Sequence, residues 1–379
     1  MKILFIIHST APDGSTISFL NLIRGLRSKG IEISVAGPTP RNTFLEMTSG
    51  LQVSYHTVRI AESVYPQLEK KSLFGIVSRF LRTINLVRRK VCSYFDIKRV
   101  VSIESPDIIH TNVGTVHEGY EVARRLRIPH VWHIREYQDK DFGWLPFPSK
   151  TSFIRKIHNS YVITITHSLE SYFGPFAKEK ARTVYNGVLR SLDEETVWPK
   201  KKFFLCASRI SPEKGIDDAI RAFSALYHKN NDYSLVVLGD GDPNYVNSLK
   251  RLAKTLECAD AIIWAGYKDN VVDYMRQAAC LIVASHNEGF GRMTAEACFA
   301  GCIVVGRNTG GTKEIIEAAG GELFDSVEEL TDKLRIVSGL SEDDYQKRSS
   351  YSIRRANELY SIESNVDGVL QFYKTVLAR

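Results

Sequence analysis

The chain has no hydrophobic run long enough to cross a membrane. Its longest stretch without Asp, Glu, Lys or Arg is Ile157 to Leu169, 13 residues, against the roughly 18 apolar residues a spanning helix needs. No transmembrane helix is expected. Lys2 followed by the apolar residues Ile3 to Ile7 is too brief for a secretory leader and no small-residue cleavage site follows, so it reads as a first strand. Cysteine is sparse: Cys92, Cys206, Cys258, Cys280, Cys298 and Cys302 occur without a C-x-x-C or a paired His cluster. That pattern argues against a zinc module or a disulfide framework and suits buried thiols in a cytoplasmic protein. Cys298 and Cys302 are four apart, but Gly301 ends a helix between them. A nucleic-acid reader motif is missing, as is a basic run with interleaved aromatics, so nucleic acid is not an expected partner. The Gly-x-Gly-x-x-Gly dinucleotide fingerprint with its downstream acid is also missing.

What the chain does have is length and uneven charge. Its 379 residues exceed the size at which one core stops growing, so two domains are expected. Residues 1–186 carry 26 Lys+Arg against 15 Asp+Glu, a net of +11; the remainder carry 24 against 28, a net of −4.

Apolar runs alternate with helical patterns throughout. Ile3 to Ile7 is a strand, His8 to Ser15 a loop, and Phe19, Leu22, Ile23 and Leu26 mark a helix before the strand Ile31 to Ala36. The strand Asp107 to His110, a helix through Tyr120 to Leu126, and the strands Pro129 to Ile134 and Tyr161 to Thr166 continue the series. A polar stretch, Arg190 to Lys202, reads as a linker. A second series follows, with strands Phe203 to Ala207, Leu235 to Leu238, Ile262 to Ala265, Cys280 to Ala284 and Cys302 to Val305. From Ser341 onward the pattern is mostly helical. Such alternation predicts two doubly wound parallel sheets, each with ligands at the carboxyl ends of its strands.

Between these strands, Leu73, Val77, Phe80, Leu81, Ile84, Val87, Val91 and Tyr94 form an apolar helical stripe, with Arg79, Arg82, Arg88, Arg89 and Lys90 around it. Such a helix fits an anionic membrane surface or a phosphate-bearing acceptor. It fits equally a helix packed on the sheet with a solvated basic face.

The segment Asn287 to Gly301 (Asn-Glu-Gly-Phe-Gly-Arg-Met-Thr-Ala-Glu-Ala-Cys-Phe-Ala-Gly) carries the most chemistry. It lies between two apolar runs and predicts strand, glycine turn and helix. Glu288 falls at the strand end, and Glu296 about two turns into the helix. The backbone N–H groups of Gly291, Arg292 and Met293 lie at the helix start, where unpaired donors and the helix dipole favour an anion. Two glutamates with seven residues between them, in the frame Glu-Gly-Phe-Gly-x-x-x-x-Glu-Ala, resemble the signature of the retaining family-four glycosyltransferases. Spacing alone also fits a capped helix with a surface Glu.

The resemblance implies a GT-B fold of class α/β: two doubly wound Rossmann-like domains facing across a cleft. Residues 1–186 would form an acceptor-binding domain and 187–360 a nucleotide-sugar-binding domain, with a C-terminal helix, 361–379, packing back on the first. Val184 to Val188 is similar to the Asn-Gly-Val segment at the family's handover between domains. Glu288 would hold donor-sugar hydroxyls and Glu296 the ribose, with Gly289 and Phe290 among the donor-binding residues. Ser208 to Gly215 matches the family's Arg-x-x-x-Glu-Lys-Gly segment, so Arg209 and Lys214 would bind the donor diphosphate. Fixed cations there can stabilise the charge on the departing diphosphate without a metal. His133, at a strand end, matches a histidine that contacts the donor sugar and the reaction centre, but Ile134, Arg135 and Glu136 follow where the family usually has Asp, leaving its partner open. His110 is a weaker candidate. Gly14 matches one glycine of a phosphate- or acceptor-approaching pair, whereas Asp13 replaces the other. Gly241, Gly266 and Tyr267 end two strands of the second series and Gly310-Gly311 follows the last, all places where a donor can approach backbone.

The activity implied is metal-independent, retaining transfer of a sugar from a nucleoside diphosphate sugar to a lipid-linked or polysaccharide-precursor glycan, by a cytoplasmic protein peripheral to the inner face of the membrane. Neither glutamate is assigned as a nucleophile. A GT-B epimerase or phosphorylase and a non-catalytic membrane- or polysaccharide-binding scaffold remain alternatives. An epimerase would act without an acceptor, a phosphorylase would need inorganic phosphate or pyridoxal, and a scaffold has no need of Arg209, Lys214, Glu288 and Glu296 together.

Overall fold

The computed structural model describes residues 1–66, 73–192, 197–229 and 232–378. The chain forms two compact units, one of residues 1–187 with 362–379 and one of 188–361.

The first unit is built on a seven-stranded sheet. Its strands are β1 (Lys2–Ile6), β2 (Glu32–Gly37), β3 (Ser54–Thr57), β5 (Ile108–Thr111), β6 (His130–Ile134), β8 (Tyr161–Thr164) and β9 (Ala181–Thr183), in the order β3-β2-β1-β5-β6-β8-β9, and all pairings are parallel. Two further strands, β4 (Val64–Pro66) and β7 (Trp144–Pro146), pair antiparallel outside it. The central strands are buried on both faces, which is why β1 reads as an unbroken apolar run: Ile3 to Ile6 are fully buried. The register places Phe5 beside His110 and His133 beside Ile163. The helix Gly14–Ser28 covers one face with Phe19, Leu20, Leu22, Ile23 and Leu26. The last helix, Ile362–Leu377, joins the same core through Val366, Val369, Phe372, Tyr373 and Val376. The other face is covered by the helix Leu73–Glu104, whose Ile97, Val100 and Val101 pack with Leu4, Ile6 and Ala36.

The second unit is a six-stranded parallel sheet in the order β12-β11-β10-β13-β14-β15. The strands are β10 (Phe203–Ala207), β11 (Ser234–Leu238), β12 (Ile262–Gly266), β13 (Cys280–Val283), β14 (Ile303–Arg307) and β15 (Glu322–Phe324). Strand order reverses between β10 and β13, the crevice where doubly wound sheets take ligands. The loops after β10, β13 and β14 therefore lie side by side.

Local chemistry moved several expected boundaries by a residue or two. The strand expected over Tyr161 to Thr166 stops at Thr164, because Thr166 caps the next helix by accepting the Leu169 N–H. The one expected over Cys302 to Val305 runs Ile303–Arg307. The thiols are free and, except for the half-buried Cys92, buried; burial pushes Cys206 and Cys298 up to about 12 and Cys302 up to about 11, which leaves them protonated and unreactive. No helix among the described residues is long and apolar enough to cross a membrane.

Candidate functional site

In the second unit the loop after β10 turns through Ser208 to Gly215, with a short 3-10 turn over Pro212–Lys214. The Glu213 carbonyl accepts the His286 N–H at 3.0 Å, tying this loop to the one after β13. That tie sets Lys214 against Glu288, 74 positions away in sequence: Lys214 Nζ donates to Glu288 Oε1 at 2.7 Å. Both side chains are about one-fifth exposed, so the pair is shielded from water yet reachable. Arg209 is largely exposed and pairs with Glu213 at 2.7 Å.

The loop after β14 closes onto the same place. Gly311 N–H donates to the Glu288 carbonyl at 2.8 Å. Gly310 has φ of +51°, and a Cβ there would meet that carbonyl oxygen at 2.4 Å, so no larger residue fits without moving Glu288. The helix Arg292–Phe299 opens after Gly291, whose φ is +86°, with no side-chain cap. Beside Gly291 lie the hydroxyls of Thr294 and Thr312, each 3.2 Å from where its Cβ would be, buried and without a hydrogen-bond partner among the described residues. Buried polar groups left unpaired carry an energetic cost that a ligand can relieve. One turn into the helix, Arg292 Nε pairs with Glu296 Oε1 at 2.8 Å. Burial pushes the Glu296 carboxyl above its ordinary range, and Arg292 opposes that shift.

Gly241 and Gly266 end the neighbouring strands. A Cβ on Gly241 would meet the Ile210 carbonyl oxygen at 2.0 Å, so the loop after β11 lies directly on the loop that carries Arg209. Tyr267 is exposed. The residues Arg209, Lys214, Gly241, Gly266, Tyr267, Glu288 to Met293 and Glu296 thus lie at or just beyond the carboxyl ends of β10 to β13 in one sheet. Asp240 to Asp242 and Asp139 to Asp141 have the Asp-x-Asp spacing. Asp242, however, caps the helix Pro243–Thr255 by accepting the N–H groups of Asn244 and Tyr245, and Asp139 is held by Lys150 and Tyr172. Among the described residues no three His, Cys, Asp or Glu side chains are grouped to hold a metal ion.

Gly14 and His133 belong to the first unit. Asp13, in place of the resembling family's glycine, caps the helix Gly14–Ser28: its Oδ1 accepts the Thr16 N–H at 2.9 Å and the Ser15 hydroxyl at 2.8 Å. The carboxylate places negative charge where a phosphate would otherwise be drawn to the helix start. His133 is fully buried, and its partner is His110, with Nε2 of His110 3.2 Å from Nδ1 of His133. Arg135 Nη2 donates toward the same Nδ1 at 3.3 Å, and the Tyr373 hydroxyl lies 2.6 Å from His110 Nδ1. An arginine only donates, so Nδ1 of His133 is the acceptor and its proton sits on Nε2. Burial holds both imidazoles well below their ordinary pKa, with Arg135 adding to the effect. His133 is therefore neutral and presents an Nε2–H with no acceptor among the described residues. Arg135 is fixed by Asn112 and by Asn186, 2.6 Å away. Beyond it, burial raises the Glu136 carboxyl to about 7, while the Gly114 N–H at 2.8 Å pulls it down. Thr294, Thr312 and the partnership of His110 with His133 had no signal in sequence spacing, since each arises from pairing between strands or loops distant in the chain.

Residues 12–190 match the family model for Glycosyltransferase Family 4, and residues 190–355 that for Glycosyl transferases group 1. N-acetyl-alpha-D-glucosaminyl L-malate synthase of Bacillus anthracis is 28% identical over 45% of this chain and 48% of its own length. Alpha-monoglucosyldiacylglycerol synthase of Streptococcus pneumoniae is 27% identical over 52% of this chain and 51% of its own. The chain thus spans about half the length of these curated relatives. The solved structure of Anabaena HepE in complex with UDP superposes with a TM-score of 0.74 at 18% identity, covering 99% of this chain and 100% of that one. Two Rossmann-like parallel sheets and consecutive family matches from residue 12 to residue 355 place the chain among the family-4-like glycosyltransferases of the GT-B fold.

Proposed function

We propose that the chain transfers a sugar, with retention of anomeric configuration, from a nucleoside diphosphate sugar to a lipid-linked or polysaccharide-precursor glycan. The observation that carries this is the meeting of Lys214 with Glu288 at the point where strand order reverses, beside an uncapped helix start and two threonine hydroxyls without a partner among the described residues. A diphosphate suits Lys214, Arg209 and the first-turn N–H groups, because each donor strengthens as charge builds on the leaving group. Glu288 is left to sugar hydroxyls and Glu296 to the ribose. The neutral Nε2–H of His133 offers a donor to a substrate hydroxyl, and the first unit, with its excess of positive charge, binds the acceptor.

HepE was solved with UDP and the pneumococcal relative bears the name of a glycolipid synthase; these support a nucleotide-linked donor and a lipid-borne acceptor here. The departing phosphate takes the acceptor proton on the face it leaves, so no protein nucleophile is needed. The test is proton NMR of the product formed from an α-linked nucleoside diphosphate sugar. An α-linked product is expected. A β-linked product overturns retention, and interconversion of the donor without any acceptor would favour an epimerase.

A further inference from the structure

Over its described side chains, Leu81 to Glu104, the helix Leu73–Glu104 is apolar on two opposite faces, and among the described residues one of them packs on the sheet. Leu86, Ile97, Val100 and Val101 are buried, and the last three pack with the sheet residues Leu4, Ile6 and Ala36. On the other side Leu81, Ile84, Val87, Val91 and Phe95 are between 45 and 61% exposed. Steps of three and four residues align them on one face, a stripe about 21 Å long at 1.5 Å per residue. Single exposed apolar residues are ordinary, but five in one line mark an interaction surface.

The helix is held firmly from its flanks. Arg59 pairs with Asp96 at 2.7 Å, Lys2 with Glu104 at 2.8 Å, and Lys90 with Glu118. These ion pairs engage both carboxylates of the helix, Asp96 and Glu104. Beside the stripe stand Arg88 and Arg99, both exposed, and no carboxylate is paired with Arg88 among the described residues. Over Leu73–Glu104 there are seven Lys or Arg and two acids.

We infer that this face docks the protein on a lipid bilayer carrying anionic headgroups, the apolar side chains entering the headgroup boundary and the arginines lying against the phosphates. Charge selects this occupant. A second copy of the chain would bring the same arginines against each other with no free acid between them, since a two-fold contact sets identical patches face to face. An anionic bilayer offers apolar depth and negative charge together. The docking face is independent of any nucleotide-sugar chemistry, and its test uses no sugar nucleotide.

The test is co-sedimentation of the full chain with vesicles of phosphatidylcholine alone and of phosphatidylcholine mixed with phosphatidylglycerol. Binding only to the mixed vesicles, weakened by salt, is expected. The variant Arg88→Gln/Arg99→Gln should lower partitioning about 30-fold, and Leu81→Ser/Val87→Ser/Val91→Ser should lower it at least about tenfold. The substituted side chains are on the solvent side, so both variants should melt as the parent does. Failure of the parent to bind mixed vesicles overturns the inference. So does binding unchanged in both variants, or a parent dimer that the serine variant dissociates.

Discussion

The replacement Glu288→Gln separates the two jobs proposed around Lys214. In the free protein the Lys214 ammonium donates to Glu288 at 2.7 Å, with both side chains about four-fifths shielded. A diphosphate must share that ammonium or take it over. Glutamine keeps the shape and one acceptor but removes the charge. Losing a charge-assisted hydrogen bond of this kind costs about 1.5–3 kcal/mol when it is removed outright, and less here because the amide oxygen still accepts. The ammonium so released is available to phosphate. Nucleoside diphosphate affinity should therefore hold or tighten by up to about tenfold, about 1.4 kcal/mol. Sugar transfer should fall by about a hundredfold or more, the usual loss when a group facing developing charge is removed, and discrimination among donor sugars should weaken. Calorimetry of nucleoside diphosphate and of its sugar conjugate, paired with turnover, measures both effects. Normal transfer by Glu288→Gln, or a fall in nucleotide affinity matching the fall in turnover, would refute the assignment.

Four further outcomes follow from the structure. Glu296→Gln should weaken the nucleoside diphosphate and its sugar conjugate equally, because the ribose is common to both; calorimetry showing loss for the conjugate alone would contradict this. Transfer should persist in excess chelator, and Arg209→Ala should weaken diphosphate or transition-state binding by about 1.5–3 kcal/mol, the range for a hydrogen bond to a charged group; activity abolished by chelator and restored by manganese would overturn it. Stability of the first unit should fall in mild acid. Burial holds His110, His117 and His133 well below their ordinary pKa and His130 down to about 3, so between about pH 6.5 and those values only the unfolded chain takes up these protons. Stability is retained above about 6.5 and drops below it, while Glu136, raised to about 7, takes up its proton in the folded chain over the same range and offsets part of the fall. A melting temperature unmoved between pH 7 and 5.5 would exclude this.

The sequence displayed the central strands because burial on both faces leaves an unbroken apolar run, as in Ile3 to Ile6. It hid β3, β9 and β15, which are three or four residues long, half exposed and partly polar, so neither run length nor alternation marks them. Glu288, Lys214 and Arg209 were legible because their local segments resemble the family's motifs. Their pairing was not, because it depends on β10 and β13 being neighbours in the sheet. His133 had no visible partner for the same reason: His110 reaches it only through the pairing of β5 with β6. At Asp13 the substitution looked like a lost glycine, and the structure gives it work as a helix cap. The helix Leu73–Glu104 shows the limit of periodicity most clearly. With apolar residues on two faces, the pattern does not say which stripe packs and which is left in solvent.

The central claim is that the second unit holds a nucleoside diphosphate sugar at the carboxyl ends of β10, β13 and β14. Thermal denaturation against a panel of uridine, guanosine and adenosine diphosphate sugars tests it most directly. A ligand at about 100 times its dissociation constant adds about 2.7 kcal/mol, which for a domain of this size raises the melting temperature by roughly 5–10 °C. One base should give that shift, and Glu296→Gln should diminish it. If no sugar nucleotide moves the transition, the second unit does not bind such a donor and the proposed transfer is wrong.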